Sequence, residues 1–324
     1  MCDSLFSKRY VEVKRRNRKV KAIMKKRTIL ISVLMIMVLV LGGIPFSSYA
    51  ASGSYVIVST YQDNAQAKQV LKLINKQRTK RGLKKLSLDK ELTDAAVKRA
   101  AEVSIYIPDT SPHMRPNGKN AHTANKRITF ECSAEGYETP KDVVNGWMSS
   151  KMHKKGILLK KARSIGIGCI TTDGGDTFWT LEISNSKVKK KLTSSKKVHA
   201  GKRVYAKSKY FKKSYFSLKT KEDMDYFAED EEDPVVIIGK KTNFYPYYSS
   251  KWNNYFNSRL VVSDFKWKSG NTSVATVNSK GVVTGKKKGT AKITVTAKHA
   301  PGIKITQYVE VMSQEEYDEY NWYE

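Results

Sequence analysis

Charge is segregated in the middle of this chain in a way that leaves room for two folded regions, one on each side. Residues 187–221 carry 14 Lys and Arg and no acid, and residues 222–233 carry 8 Asp and Glu and no base. Such blocks hold too little apolar surface to close a core of their own, because every buried charge has to be paired or neutralised. Residues 187–233 therefore read as a charged linker, with room for a few short strands. The opposite charges attract one another, although exposed pairs are individually weak. The acidic cluster is a calcium candidate by composition, but its spacing matches no known binding loop.

Residues 56–186, before the linker, mix helix and strand. Val70, Leu71 and Ile74 recur at helical spacing between Ala67 and Arg78, and Gly82 ends that helix. Asp89 is placed to cap a second helix carrying Leu92, Ala95, Ala96, Arg99 and Ala100. Pro108–Gly118 reads as a loop. Thr139-Pro140 opens a third helix with Val143, Val144 and Trp147 on one face. Ser164–Ile170 and Thr177–Ser184 alternate as strands, joined by the turn sequence Asp173-Gly174-Gly175-Asp176. Residues 234–313, after the linker, hold only short apolar runs: Val235–Ile238, Val261-Val262, Val274–Val277, Val282-Val283 and Ile293–Val295. Regular glycines punctuate them, the pattern of a β-sandwich. Residues 314–324 form an acidic, aromatic tail.

The N-terminus reads as a secretory leader. Lys25-Lys26-Arg27 precedes an apolar run from Thr28 to Ile44, and Ser48-Tyr49-Ala50 supplies a small-x-small cleavage signal after Ala50. Residues 1–50 are therefore expected to be a signal peptide, and Met24 opens a segment complete enough to be one alone. An uncleaved anchor is the lesser reading, since the run is short for a bilayer. The whole chain has a formal charge of +30, and the first 50 residues hold 11 bases and 2 acids, which leaves +21 beyond them. A secreted protein this basic attracts anionic polymers and lipid head groups over long range. Export argues against nucleic acid as its partner, and the leader is its only expected membrane contact. Of three cysteines, Cys132 and Cys169 lie beyond the leader. In an oxidising compartment they can pair, or be two small buried side chains.

Two resemblances sharpen this. Leu73-Ile74-Asn75 with Arg78, Gly82-Leu83 and Leu86 come first in order. Asp89, Leu92, Ala95-Ala96, Arg99-Ala100 and Glu102 follow. Next are His113-Met114-Arg115-Pro116-Asn117-Gly118, Glu131-Cys132-Ser133-Ala134-Glu135-Gly136, and Val143-Val144-Asn145-Gly146-Trp147-Met148-Ser149-Ser150 with His153. Ile165-Gly166-Ile167-Gly168 closes the series. The series resembles the bacterial branch of the CAP superfamily, the SCP-like extracellular proteins. Phe265–Ser269, Asn271, Ser273–Val277, Gly281–Gly285 and Gly289–Val295 are similar to the bacterial immunoglobulin-like domain, group 2. The fold these imply is α+β, a three-layer α/β/α sandwich at 56–186 followed by an all-β immunoglobulin-like sandwich at 234–313.

The CAP resemblance implies a cleft with two histidines and two acids able to hold a divalent cation. By position these are His113, His153 and Glu131, and Ser150 stands where the second acid would be. Two imidazoles and a carboxylate make a zinc-class donor set with an open position, though a structural histidine bonded to Glu131 fits as well. Zinc or another divalent cation is the expected cofactor, if any. Ser150 and His153 are one helical turn apart, a spacing that chance also produces. The resemblance implies a secreted or cell-surface binding protein ahead of an enzyme: the cleft takes a ligand or metal and the Ig-like module serves adhesion or spacing. The expected partners are anionic envelope polymers, lipids or another surface protein. The alternative is a metal-dependent, peptidase-like extracellular hydrolase. Phe244, Tyr245, Tyr247, Tyr248, Trp252, Tyr255 and Phe256 form an aromatic insert whose simpler reading is sandwich core and whose other reading is a sugar-stacking surface.

Overall fold

The computed structural model describes residues 54–105, 113–207, 211, 213–220, 233–249 and 257–321. The expected leader, most of the acidic block, and Trp252, Tyr255 and Phe256 of the aromatic insert lie outside the described residues.

Strand β1 (Tyr55–Asp63) runs directly into helix α1 (Asn64–Thr79), and the Asp63 carboxylate accepts the N–H of Gln66 as the helix cap. Gly82, at φ 67°, turns the chain after that helix. Strand β2 (Ser87–Leu88) leads to α2 (Lys90–Ile105), where Asp89 caps as expected, accepting from Leu92 N–H at 3.1 Å. Strand β3 (Phe130–Glu135) precedes α3 (Pro140–Ser149), capped by Thr139 with Pro140 in its first turn. Ser150 ends α3 and caps the short α4 (Lys151–Ile157). Strands β4 (Ser164–Thr172) and β5 (Thr177–Ser184) form the expected hairpin.

The first sheet has the order β3-β5-β4-β1 and then β6 (Lys197–Tyr205), with β2 parallel beside β4. Alternation along β4 separates its two faces. Ile165, Ile167 and Cys169 join Val70 and Ile74 of α1 and Val143 and Trp147 of α3 in one core. Gly166 and Gly168 face α2. A Cβ on Gly166 would lie 2.1 Å from the Leu92 backbone carbon, and one on Gly168 would lie 2.5 Å from that of Ala96. The glycines let α2 lie directly on the sheet, and Thr180 Oγ1 donates to the Ala96 carbonyl across the same seam. The result is the three-layer α/β/α sandwich.

The linker reading at 187–233 needs correction for β6. This segment pairs with β1 along its whole length, from Tyr55 opposite Tyr205 to Asp63 opposite Lys197. It is an edge strand, and lysines are how such strands discourage further pairing. Only Val204 among its nine residues is buried, so it shows no apolar alternation. Strand β7 (Phe216–Lys219), also from this block, pairs with β10 (Tyr245–Ser249).

The second region adds β8 (Val235–Ile237), β9 (Lys241–Asn243), β11 (Asn257–Arg259), β12 (Phe265–Ser269), β13 (Ala275–Val277), β14 (Val282–Gly285), β15 (Gly289–Ala297) and β16 (Lys304–Met312). They form sheets β12-β15-β16-β8, β13-β14-β9 and β11-β10-β7. Ala291, Ile293, Val295 and Ala297 of β15 all point inward toward Phe244, Ala275 and Val283. That is the one-face alternation of an antiparallel sandwich. Val261-Val262, expected as a strand, instead enters a 3-10 turn at Val262–Asp264, with Val261 N–H donating to Ile57 of β1. Of the aromatic insert, Phe244, Tyr247 and Tyr248 are buried, and Tyr248 meets Phe216 edge-on at 5.1 Å, so this part is core. The tail forms helix α5 (Gln314–Asn321), opened by a Ser313–Glu316 capping box.

One apolar cluster runs from Val56, Val97 and Phe178 of the first region to Phe265, Val295 and Ile305 of the second. Tyr55 stacks on His299 at 4.4 Å, and Ser258 Oγ donates to the Ser104 carbonyl at 2.7 Å. Replacing Gly168 by Ala is expected to cost about 2–3 kcal/mol, because the new methyl group meets backbone that cannot rotate away. Urea unfolding checks this, and an unchanged midpoint would contradict the close seam between α2 and β4.

Candidate functional site

His113 and Glu131 meet on the α2 face of the sheet at its β3 edge, and Ser150 and His153 belong to the α3–α4 junction and α4. His113 opens a loop closed by backbone bonds from Ala121 N to His113 O and from Arg115 N to Lys119 O, with Gly118 at φ 80°. Glu131 lies on β3, on the face turned toward α2. The His113 Nδ1 is 3.0 Å from Glu131 Oε1. The Glu131 carboxylate also takes both ends of the Arg99 guanidinium, from Nε to Oε2 at 2.8 Å and from Nη2 to Oε1 at 3.2 Å. Arg99 then donates through Nη1 to Glu102 Oε2 at 2.7 Å. Glu102 is gripped from its other side by Arg115, with Nη2 to Oε1 at 2.7 Å and Nε to Oε2 at 2.9 Å. Arg99, Glu102, Arg115 and Glu131 are all buried. Two guanidiniums thus answer two carboxylates, and only His113 of this chain of contacts reaches the surface, with its side chain 30% exposed.

A third carboxylate stands beside them. Glu182 of β5 is in register with Glu131 and fully buried. Burial first, and the Glu131 charge second, push its pKa well above the usual carboxylate range. Burial pulls Glu131 the same way, but the His113 hydrogen bond and then the Arg99 hydrogen bonds and charge outweigh it, and its pKa falls to about 2. Two facing buried carboxyls cannot both ionise. Glu131 is therefore the anion and Glu182 the neutral acid, and a Glu182 hydroxyl can donate to Glu131.

His153 projects from α4. Burial, and then the nearby His113 ring, lower its pKa, which favours the neutral imidazole. Ser150 does not pair with the His153 ring: its hydroxyl accepts the His153 backbone N–H as the α4 cap, at 3.5 Å. Among the described residues no group of three or more His, Cys, Asp or Glu side chains is arranged to hold a metal ion. Glu131, the expected carboxylate ligand, is already committed to Arg99 and His113. The donor set as it stands does not fit a three-ligand shell.

A Ser/His/Asp cluster joins β1, the β4–β5 turn and β6. Ser59 Oγ and Asp173 Oδ1 both meet the same His199 nitrogen, Nε2, at 3.2 and 3.1 Å. A ring contacted twice at one nitrogen cannot relay a proton from serine to aspartate, so this is no hydrolytic triad. Cys132 and Cys169 are free and buried. They lie on β3 and β4 with β5 between them, which places their Cα atoms more than about 9 Å apart. A disulfide needs less than about 7 Å.

Arg99, Glu102 and Arg115 belong to the family resemblance without a site role, and Glu182 lies outside the residues that carry it. The signals were present. Arg99 and Glu102 are one turn apart on an alanine-rich helix, and Glu182 lies between Leu181 and Ile183 in a strand with the apolar run of a buried one, where a carboxylate needs a reason.

The pH dependence follows from Glu182. Its folded pKa is raised, so the folded state keeps a proton that the unfolded chain gives up above its ordinary pKa, and stability drops as pH rises. The facing groups are Glu131 from β3 and Arg99 and Glu102 from α2. Glu182→Gln keeps a neutral donor and removes this loss. Thermal unfolding is expected to show equal midpoints for wild type and variant near pH 4 and a higher midpoint for the variant at pH 8. A variant less stable at pH 8 would mean that Glu182 is ionised.

Residues 71–183 match the model of the cysteine-rich secretory protein family, CAP, and residues 253–306 match the bacterial Ig-like domain, group 2. The Bacillus subtilis (strain 168) protein YkwD, itself uncharacterised, is 32% identical over 126 residues, which cover 36% of this chain and 46% of that one. The chain thus matches under half the length of that relative. An outer surface protein of Borrelia burgdorferi is 21% identical over 38% of this chain and 93% of its own, with a TM-score of 0.31. An extracellular protein of Bacillus anthracis containing an SCP domain is 18% identical over 38% of this chain and 41% of its own, also with a TM-score of 0.31. The chain carries a CAP domain of the cysteine-rich secretory protein family followed by a bacterial Ig-like domain of group 2.

Proposed function

We propose that this is a secreted, cell-envelope protein that works by binding and not by turnover. The observation that carries the reading is the Arg99 clamp. A carboxylate held by a guanidinium at both oxygens, with its pKa at about 2, is a poor proton acceptor at neutral pH. Ser150 is spent on a helix cap, and both cysteines are sealed in the core with thiol pKa values pushed up by burial. The cleft beside His113 and His153 is then a recognition surface. The hydrolase alternative needs Glu131 to be free.

Charge supports the envelope reading. The net +21 beyond residue 50 is displayed on exposed lysines such as Lys187, Lys189, Lys190, Lys191, Lys196 and Lys197. Among the described residues no helix is long and apolar enough to cross a membrane. The Ig-like module, sharing its core with the CAP domain, serves as a stiff spacer or adhesion unit.

Cosedimentation with an anionic envelope polymer tests this. Retention is expected to fall at least roughly tenfold as salt rises from about 50 to about 200 mM, and to be unchanged in His113→Ala. Peptide hydrolysis that disappears in His113→Ala and His153→Ala would overturn the reading.

A further inference from the structure

We propose that the cleft between α2 and β6 is a phosphate site, taking one phosphodiester group of an anionic envelope polymer. This rests on the reading of the protein as one held by envelope polyanions. The cleft has a volume of about 320 Å³, and its lining includes Gln62 from β1, Asp94 and Lys98 from α2, and Lys202, Arg203 and Tyr205 from β6. Its β6 side lies beyond the matched CAP segment, and its α2 side ends at Lys98, the residue before Arg99.

Two lysines make the argument. Lys98 and Lys202 are half-buried and approach the cleft from different elements. Lys202 Nζ donates to Gln62 Oε1 at 2.9 Å, and Lys98 Nζ lies 5.8 Å from the centre of the Tyr205 ring, so both ammoniums are held in place. Neither forms an ion pair among the described residues; Asp94, the acid in the lining, is taken by Lys90 at 2.6 Å. Burial is the main cause that lowers both lysine pKa values. For Lys98 the Arg115 charge adds to it and Glu102 opposes it, and for Lys202 Asp94 opposes it while Lys90 adds. These are cations partly stripped of water, with Glu102 and Asp94 acting on them without forming an ion pair, and an anion bound in the cleft that both line would recover part of that cost.

The anion's class follows from the donors. Lysines are point charges with three rotatable donors each; a phosphodiester offers them two charged and two ester oxygens around a tetrahedral centre, where a carboxylate offers two oxygens in one plane.

The test uses the secreted protein with two probes: glycerol 3-phosphate followed by phosphorus NMR, and a glycerol phosphate polymer followed by cosedimentation at low salt. Lys98→Gln with Lys202→Gln is compared with Lys189→Gln with Lys190→Gln, which removes the same charge from an exposed segment. The cleft variant is expected to lose roughly tenfold or more in affinity for both probes. The exposed-segment variant and the conservative Lys98→Arg with Lys202→Arg keep binding glycerol 3-phosphate. Equal losses in the Gln variants, or glycerol 3-phosphate binding that survives in the cleft variant, would overturn the site while leaving polyanion retention intact. A wild-type protein that ignores the polymer at low salt would overturn the envelope reading itself.

Discussion

The guanidinium of Arg99 is the charge on which the cleft depends. It lies 1% exposed between two carboxylates from different layers, Glu102 on its own helix and Glu131 on β3. Removing one member of such a buried pair typically costs about 3–5 kcal/mol, because the remaining charge is left without solvent or partner. Arg99 can reach Glu131 only because α2 lies flat on the sheet, and α2 lies flat only because Gly166 and Gly168 leave no Cβ beneath it. The glycines, the helix packing and the electrostatics of the cleft are one structural argument. His113 is its outlet: the carboxylate that Arg99 fixes is the same one that orients the imidazole.

Much of the scaffold was legible in the residues. Asp89 and Thr139 acted as caps because a short oxygen-bearing side chain before an apolar period has that single best use, and Asp173–Asp176 turned the hairpin as written. Strands β6 and β7 were hidden for a physical reason. An edge strand needs few apolar residues, and a lysine-rich one reads as solvated chain. Val261-Val262 misled in the opposite direction, since two valines suit a turn whose backbone is held by β1 as well as they suit a strand. At the site, the positions of His113 and Glu131 came through family resemblance. The state of Glu131 did not, because it is set by Arg99 and Glu182, which are distant in sequence and meet only through strand register.

Charge has two separate uses in this protein. In the cleft it is balanced internally: two arginines against two glutamates, with Glu182 neutral. On β6 and the segment leading to it, the charge is unbalanced and exposed. The first arrangement fixes geometry at little net field, and the second creates a long-range field suited to polyanions. The continuous core between the CAP and Ig-like domains holds the two uses in one frame, since the strand that carries the basic edge, β6, is also clasped to β1, whose first residue stacks on His299 of the Ig-like domain.

The measurement that bears most directly on the Arg99 clamp is zinc titration calorimetry of the protein, wild type beside His113→Ala and His153→Ala. If Arg99 already answers Glu131, the three proteins give the same weak, unsaturated heats. Tight uptake of one equivalent by the wild type, lost in both variants, would contradict the account and show that the cleft is built around a metal ion.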